Sequence, residues 1–123
     1  MRIFPFLTVI TWMISGPAEA AEPDITNAKA LRTGERWTIN VTVTHPDTGW
    51  DHYADGWTVE DRNGNILGFR KLLHPHVNEQ PFTRGLAALE IDGALKSVFI
   101  RARCNVDGDA VARYELVLDR KAD

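Results

Sequence analysis

All four histidines of this chain fall between positions 45 and 76, and its one cysteine stands at position 104. The stretch THPDTGWDHYADGW, 44–57, brackets Trp50 and three aspartates with His45, His52 and a second pair of aromatics, Tyr53 and Trp57. Further on, His74-Pro75-His76 forms an H-x-H pair. In an extended segment residues two apart point to the same side, so both imidazoles can face one ion. Cys104 closes an apolar run, and Asp107 follows three residues later. Imidazole and thiolate are donors for iron, copper or zinc. A thiolate at a strand end, a nearby carboxylate and imidazoles from neighbouring loops would make a mixed-ligand site from His45, His52, His74, His76, Cys104 and Asp107. Nothing in this spacing forces the ligands together as a C-x-x-C pair would. The fold must do that.

Each residue also has a plainer role. A histidine before proline is held extended, so His45 can simply cap a turn. His74 and His76 can be solvated on a rigid proline loop. Trp50, Tyr53 and Trp57 can lid the end of a sandwich, and Trp57 also continues into a strand. Asp47, Asp51 and Asp55 can be turn residues, or can hold histidine tautomers from behind. Cys104 can be a small buried hydrophobe, and a lone cysteine forms no intrachain disulfide. Nucleophilic catalysis has little support, since no G-x-S-x-G elbow or phosphate-cradling glycine loop is present.

The elements that must position these residues read as strands. In RWTINVTVT, 36–44, Trp37, Ile39, Val41 and Val43 alternate with polar residues, the period of a half-buried strand. A shorter edge strand is expected around 25–30. Segments 57–61 and 66–73 flank Asn63-Gly64, a hairpin dipeptide suited to positive φ at both centres. Further strands are expected at 82–91, 97–105 and 111–118, the sixth with Val98, Ile100, Ala102 and Cys104 facing inward. Short strands about ten residues apart, with turn signals between them, argue for an antiparallel β-sandwich.

The first twenty residues carry Arg2, an apolar run over 4–14 and Ala18-Glu19-Ala20, the pattern of a secretory signal with cleavage after Ala20. The apolar run is too short to span a bilayer. Residues 21–123 are then a single domain, exported to the periplasm or secreted, with no membrane attachment after cleavage. The net charge of −3 and the lack of a basic patch speak against a nucleic-acid partner.

Two related immunoglobulin-like families are similar at these motifs. The Z subunit of the SoxYZ sulfur-carrier complex (SoxZ) resembles this chain at VTVTHPDTG and LHPHVNEQPF. Superoxide reductase, the neelaredoxin and desulfoferrodoxin group, resembles it at HPDTGWDHYADGW and at RARCNVDG, 101–108. Together the similarities span roughly 36–118. The second resemblance implies iron ligands at His45, His52 and Cys104. It departs from the pattern in the one-residue-wider spacing of His45 and His52, in Asp107 where that family has histidine, and in the lack of an N-terminal Lys-His segment. The first implies a scaffold that pairs with a second periplasmic protein, although the chain has no glycine-rich cysteine tail of the carrier type. The resulting expectation is an immunoglobulin-like β-sandwich whose His-rich rim binds a transition metal without independent catalysis. Trp50, Tyr53 and Trp57 are expected as the wall of that metal rim or, in a partner-binding scaffold, as its contact surface; the scaffold and a divergent superoxide reductase are the rival readings.

Overall fold

The computed structural model describes residues 22–120. The expected signal segment 1–20 lies outside them. Eight strands follow in order: β1 (Asp24–Thr33), β2 (Arg36–Thr44), β3 (Ala54–Glu60), β4 (Ile66–Lys71), β5 (Phe82–Leu89), β6 (Ser97–Cys104), β7 (Gly108–Asp109) and β8 (Tyr114–Val117). One sheet runs β1-β2-β5; the other runs β4-β3-β6, with both β7 and β8 pairing with β6. All named pairings are antiparallel. The chain therefore changes sheet between β2 and β3, between β4 and β5, and again between β5 and β6, the immunoglobulin-like arrangement of an antiparallel β-sandwich.

Alternation in β2 works as its sequence demands. Trp37, Ile39, Val41 and Val43 are at most 1% exposed, whereas Thr38, Asn40 and Thr42 are half-buried. The facing layer comes from Trp57 and Val59 of β3 and from Val98, Ile100, Ala102 and Cys104 of β6, all buried. Burying side chains of this size contributes about 1.5–3 kcal/mol each for the larger ones, and this core is what holds the strand ends in place. On the outer face of β3 and β6, Glu60 is buried yet charged. Burial opposes its ionisation, but hydrogen bonds from Arg101 and Thr58 and the charges of Arg101 and Arg113 outweigh that and lower its pKa.

Several boundaries move. β1 is longer than the expected 25–30 stretch because pairing along the whole of β2 defines it, not alternation; among its ten residues only Ala28 is buried. β8 begins at Tyr114, not 111, leaving Val111 in solvent. The β3–β4 hairpin does not use positive φ at both Asn63 and Gly64. Gly64 alone is left-handed (φ 85°), and the Gly64 N–H donates to the Asp61 carbonyl while the Asp61 N–H donates to that of Asn65. That is the three-residue hairpin with a glycine bulge. Asp61 stabilises it by accepting from the Asn63 and Asn65 N–H groups, an interaction the dipeptide alone does not announce.

The shift with most consequence for function is at β3. It begins at Ala54, three residues before the expected start, because Ala54 pairs with Cys104 of β6. That register sets the last turn of the 45–53 loop against the end of the cysteine strand.

Candidate metal centre

Three loops meet at this end of the sandwich: 45–53 between β2 and β3, 72–81 between β4 and β5, and 105–107 between β6 and β7. His45 is the first residue past β2 and continues its inward parity from Val41 and Val43, so its ring enters the interior and is fully buried. Its Nδ1 lies 2.5 Å from Asp47 Oδ1. The same carboxylate accepts the Ala54 N–H at Oδ1 (2.9 Å) and the His76 N–H at Oδ2 (2.8 Å). A carboxylate held as an acceptor on both oxygens requires the imidazole to present Nδ1–H, and in the neutral ring the lone pair is then on Nε2. That Nε2 is buried without any hydrogen-bond partner. A buried nitrogen lone pair left unpaired costs about 1–3 kcal/mol, and a metal ion would satisfy it.

The atoms facing it fit that chemistry. His45, His52 and Cys104 offer ligand atoms that all lie within 4.8 Å of one another. His52 Nε2 stands 3.5 Å from Cys104 Sγ, and the two imidazoles meet edge to face with centroids 4.7 Å apart. Zinc-type bonds of about 2.0–2.3 Å in tetrahedral geometry put donor atoms roughly 3.5 Å apart. The His52–Cys104 separation is already there, and the remaining pairs need only side-chain adjustments on the order of an ångström. Cys104 Sγ also accepts the Asp107 N–H at 3.2 Å. Asp107 Oδ2 lies 3.6 Å from the sulfur and 3.8 Å from His52 Nε2, on the solvent side of the group. His45 and Cys104 are sealed, whereas the His52 and Asp107 side chains are 23% and 39% exposed. Access is from that side.

Two features shape the loop so that His52 arrives there. Gly49 takes φ 143°, which side chains rarely adopt, and around it the Thr48 N–H donates to the His52 carbonyl and the His52 N–H to that of Gly49. Asn105 then fastens the loop to β6. Its N–H donates to the Tyr53 carbonyl, its Oδ1 accepts the Tyr53 N–H, and its Nδ2 donates to the carbonyls of Trp50 and Asp51. In the sequence, the signal for Asn105 is a polar residue directly after the cysteine in RARCNVDG.

The H-x-H pair is placed differently from the trio. His76 is buried, stacked on Phe82 with centroids 3.8 Å apart, and its Nε2 accepts from Arg84 Nη2 at 3.0 Å. An arginine can only donate, so the remaining proton of the neutral ring sits on Nδ1, which is buried and unpartnered. Neither nitrogen offers a lone pair in this arrangement. Burial, then the charges of Arg84 and His74, lower the His76 pKa. His74 is exposed, with Nδ1 at 3.0 Å from the Pro75 carbonyl. The 74–81 loop nevertheless embraces the centre: the Gln80 side chain accepts the His45 N–H at Oε1 and donates from Nε2 to the His76 carbonyl, and the His76 backbone N–H donates to Asp47.

The expected aromatic wall divides. Trp57 is a core residue, fully buried with its ring between the sheets. Trp50 is 66% exposed and touches Tyr53 edge to face at 5.5 Å, so it stands out from the rim instead of closing over it. Asp55 is paired with Arg103 at 2.9 Å, and Asp51 is exposed. Among the three aspartates of the loop, Asp47 is the one that reaches a histidine.

Among the described residues no helix is long and apolar enough to cross a membrane. No family model matches the chain. It is similar to a protein of Halomicrobium mukohataei described as "Putative lipoprotein", 38% identical over 96 residues that make up 73% of this chain and 47% of that relative. The chain thus spans about half the length of the curated relative it matches. A crystal structure of a hypothetical protein from Pyrococcus horikoshii OT3 superposes with a TM-score of 0.52 at 18% identity, covering 85% of this chain and 94% of the other. At that identity the likeness concerns the fold, and it agrees with the β-sandwich described above.

Proposed function

We propose that this domain is an extracytoplasmic metal-binding β-sandwich that holds one transition-metal ion through His45 Nε2, His52 Nε2 and Cys104 Sγ, with the Asp107 carboxylate as a fourth donor from the solvent side. The observation that carries it is the convergence of a fully buried, unpartnered His45 Nε2 with an imidazole and a thiol sulfur. Iron, copper and zinc all accept this donor set. The resemblance of the 45–57 loop and of RARCNVDG to superoxide reductase supports iron within that group. The departures at Asp107 and in the spacing of His45 and His52 argue against an intact reductase centre. The secretory pattern of residues 1–20 and the likeness to a lipoprotein support a location outside the cytoplasm.

Elemental analysis of the tag-free protein purified from the periplasm tests this directly. The expected result is about one metal ion per chain, lost in His45→Ala and Cys104→Ser and removable by a chelator with a fall in stability. Metal-free protein whose stability ignores added iron, copper and zinc would end the proposal. A second reading, a SoxZ-like scaffold for another periplasmic chain, is favoured by a specific observation: Trp50 and Val106 are more than half exposed beside the centre.

A further inference from the structure

The solvent side of the proposed centre is a rim of unusual composition. Trp50 and Val106 are 66% and 58% exposed, and Tyr53 packs on Trp50. Exposed aromatics are common on mobile loops, but this rim is fastened. The hydrogen bonds of Asn105 to Trp50, Asp51 and Tyr53 hold it to the β6 end, and the Gly49 turn fixes it from the other side. A pre-ordered aromatic loses little freedom on contact, which is what makes Trp and Tyr effective anchors at protein interfaces.

Carboxylates outnumber cations here, with Lys71 and Arg103 on the neighbouring strand ends. Asp51, Asp107 and Asp109 are exposed, and Arg103, the basic residue opposite Asp109 on the strand pair, is held by Asp55 at 2.9 Å. Among the described residues, two surface depressions lie elsewhere, one at Arg36, Glu90 and Asp92 by the opposite end of β2, another at Lys96, Phe99 and Glu115. Exposed apolar side chains with carboxylates beside them suit contact with a protein partner better than enclosure of a small molecule.

We infer that the Trp50–Tyr53–Val106 rim is the docking face for a basic protein partner, one with an apolar hollow surrounded by lysine or arginine, which thereby reaches the exposed edge of His52. The docking face is read from the rim alone. That such a partner would thereby gain access to a bound ion beside His52 rests on the metal reading.

The test uses the mature chain, isotope-labelled, titrated with a strongly basic cytochrome c as probe and with an acidic ferredoxin as control. Nuclear magnetic resonance should show shifts concentrated at the Trp50 indole N–H, the Asn105 side-chain amide and the Val106 and Asp107 backbone. Binding should weaken at least about tenfold between roughly 20 and 300 mM salt. Trp50→Ala and Asp51→Asn should each weaken it about fivefold or more while spectra elsewhere, and metal content, stay unchanged. Absent shifts, shifts scattered over the sandwich, equal binding of the acidic control, or unaltered binding by both variants would overturn the inference. Metal content measured on the same samples separates the two claims: rim binding by a chain that takes up no metal leaves the docking face standing and removes the metal centre, and the converse result does the opposite.

Discussion

Replacing Asp47 by asparagine removes one charge and one acceptor from the most connected side chain at the site. In the wild type, Oδ1 accepts from His45 Nδ1 and the Ala54 N–H, and Oδ2 accepts the His76 N–H. Asparagine has one acceptor oxygen. Placed at the Oδ1 position it keeps two of these bonds and turns its NH₂ against the His76 N–H; placed at Oδ2 it keeps one and opposes two donors. The first orientation wins, because it leaves fewer buried groups unpaired. The consequence is specific: the 74–81 loop is unhooked, and His45 keeps its tautomer but loses the carboxylate behind it. One buried donor without a partner, plus the loss of a charge-assisted bond, costs about 2–4 kcal/mol of stability. At about 4–8 °C per kcal/mol for a domain of this size, the melting temperature of the metal-free protein should fall by about 8–32 °C. Metal affinity should fall about 10–100-fold, the usual effect of removing the group behind a histidine ligand. Urea denaturation and titration calorimetry on the same preparation read the two quantities. Asp55→Asn is the control, since Asp55 is paired on the surface and should cost roughly 0–1 kcal/mol with no change in metal affinity. A folded Asp47→Asn protein that binds metal as tightly as the parent would refute the orienting role assigned to the carboxylate. An unchanged His76 amide exchange rate would refute the loop connection.

Three further outcomes are expected. His52→Ala should abolish tight metal binding while His74→Ala leaves it within about twofold, because His74 lies outside the trio; calorimetric titration with zinc and copper compares them. Stability of the metal-free chain should decline on the acid side through His76. Its folded pKa is lowered from 6.5, so the unfolded chain takes up the proton first: the contribution is complete above that value and is lost as pH falls towards the folded pKa. Chemical denaturation from neutral to mildly acidic pH should show that slope, and His76→Phe should flatten it. Finally, Trp57→Ala should cost about 3–5 kcal/mol by opening a cavity between the sheets, whereas Trp50→Ala, in solvent, should stay within about 0.5 kcal/mol. Equal losses in the two would contradict their placement.

The sandwich was legible because β2 and β6 write their geometry in single residues. Trp37-x-Ile39-x-Val41-x-Val43 can bury one face only as a strand, and the same parity carries Cys104 inward with Val98 and Ile100. The 45–53 loop with its two histidines, and a cysteine at the end of a strand, were likewise visible as candidate donors. Local pattern could not say which donors meet. That is decided by pairing across about fifty residues: Ala54 with Cys104, which sets the start of β3, and Asn105 with the 50–53 loop. His76 looked as eligible as His52, but tertiary packing gave its ring to Phe82 and Arg84, and only its backbone to Asp47. Trp50 and Trp57 carry the same side chain seven residues apart, one in solvent and one in the core. Composition and periodicity determine what each segment can bury; which polar atoms are left facing one another in the interior is a property of the register between strands, and the sequence states that register nowhere locally.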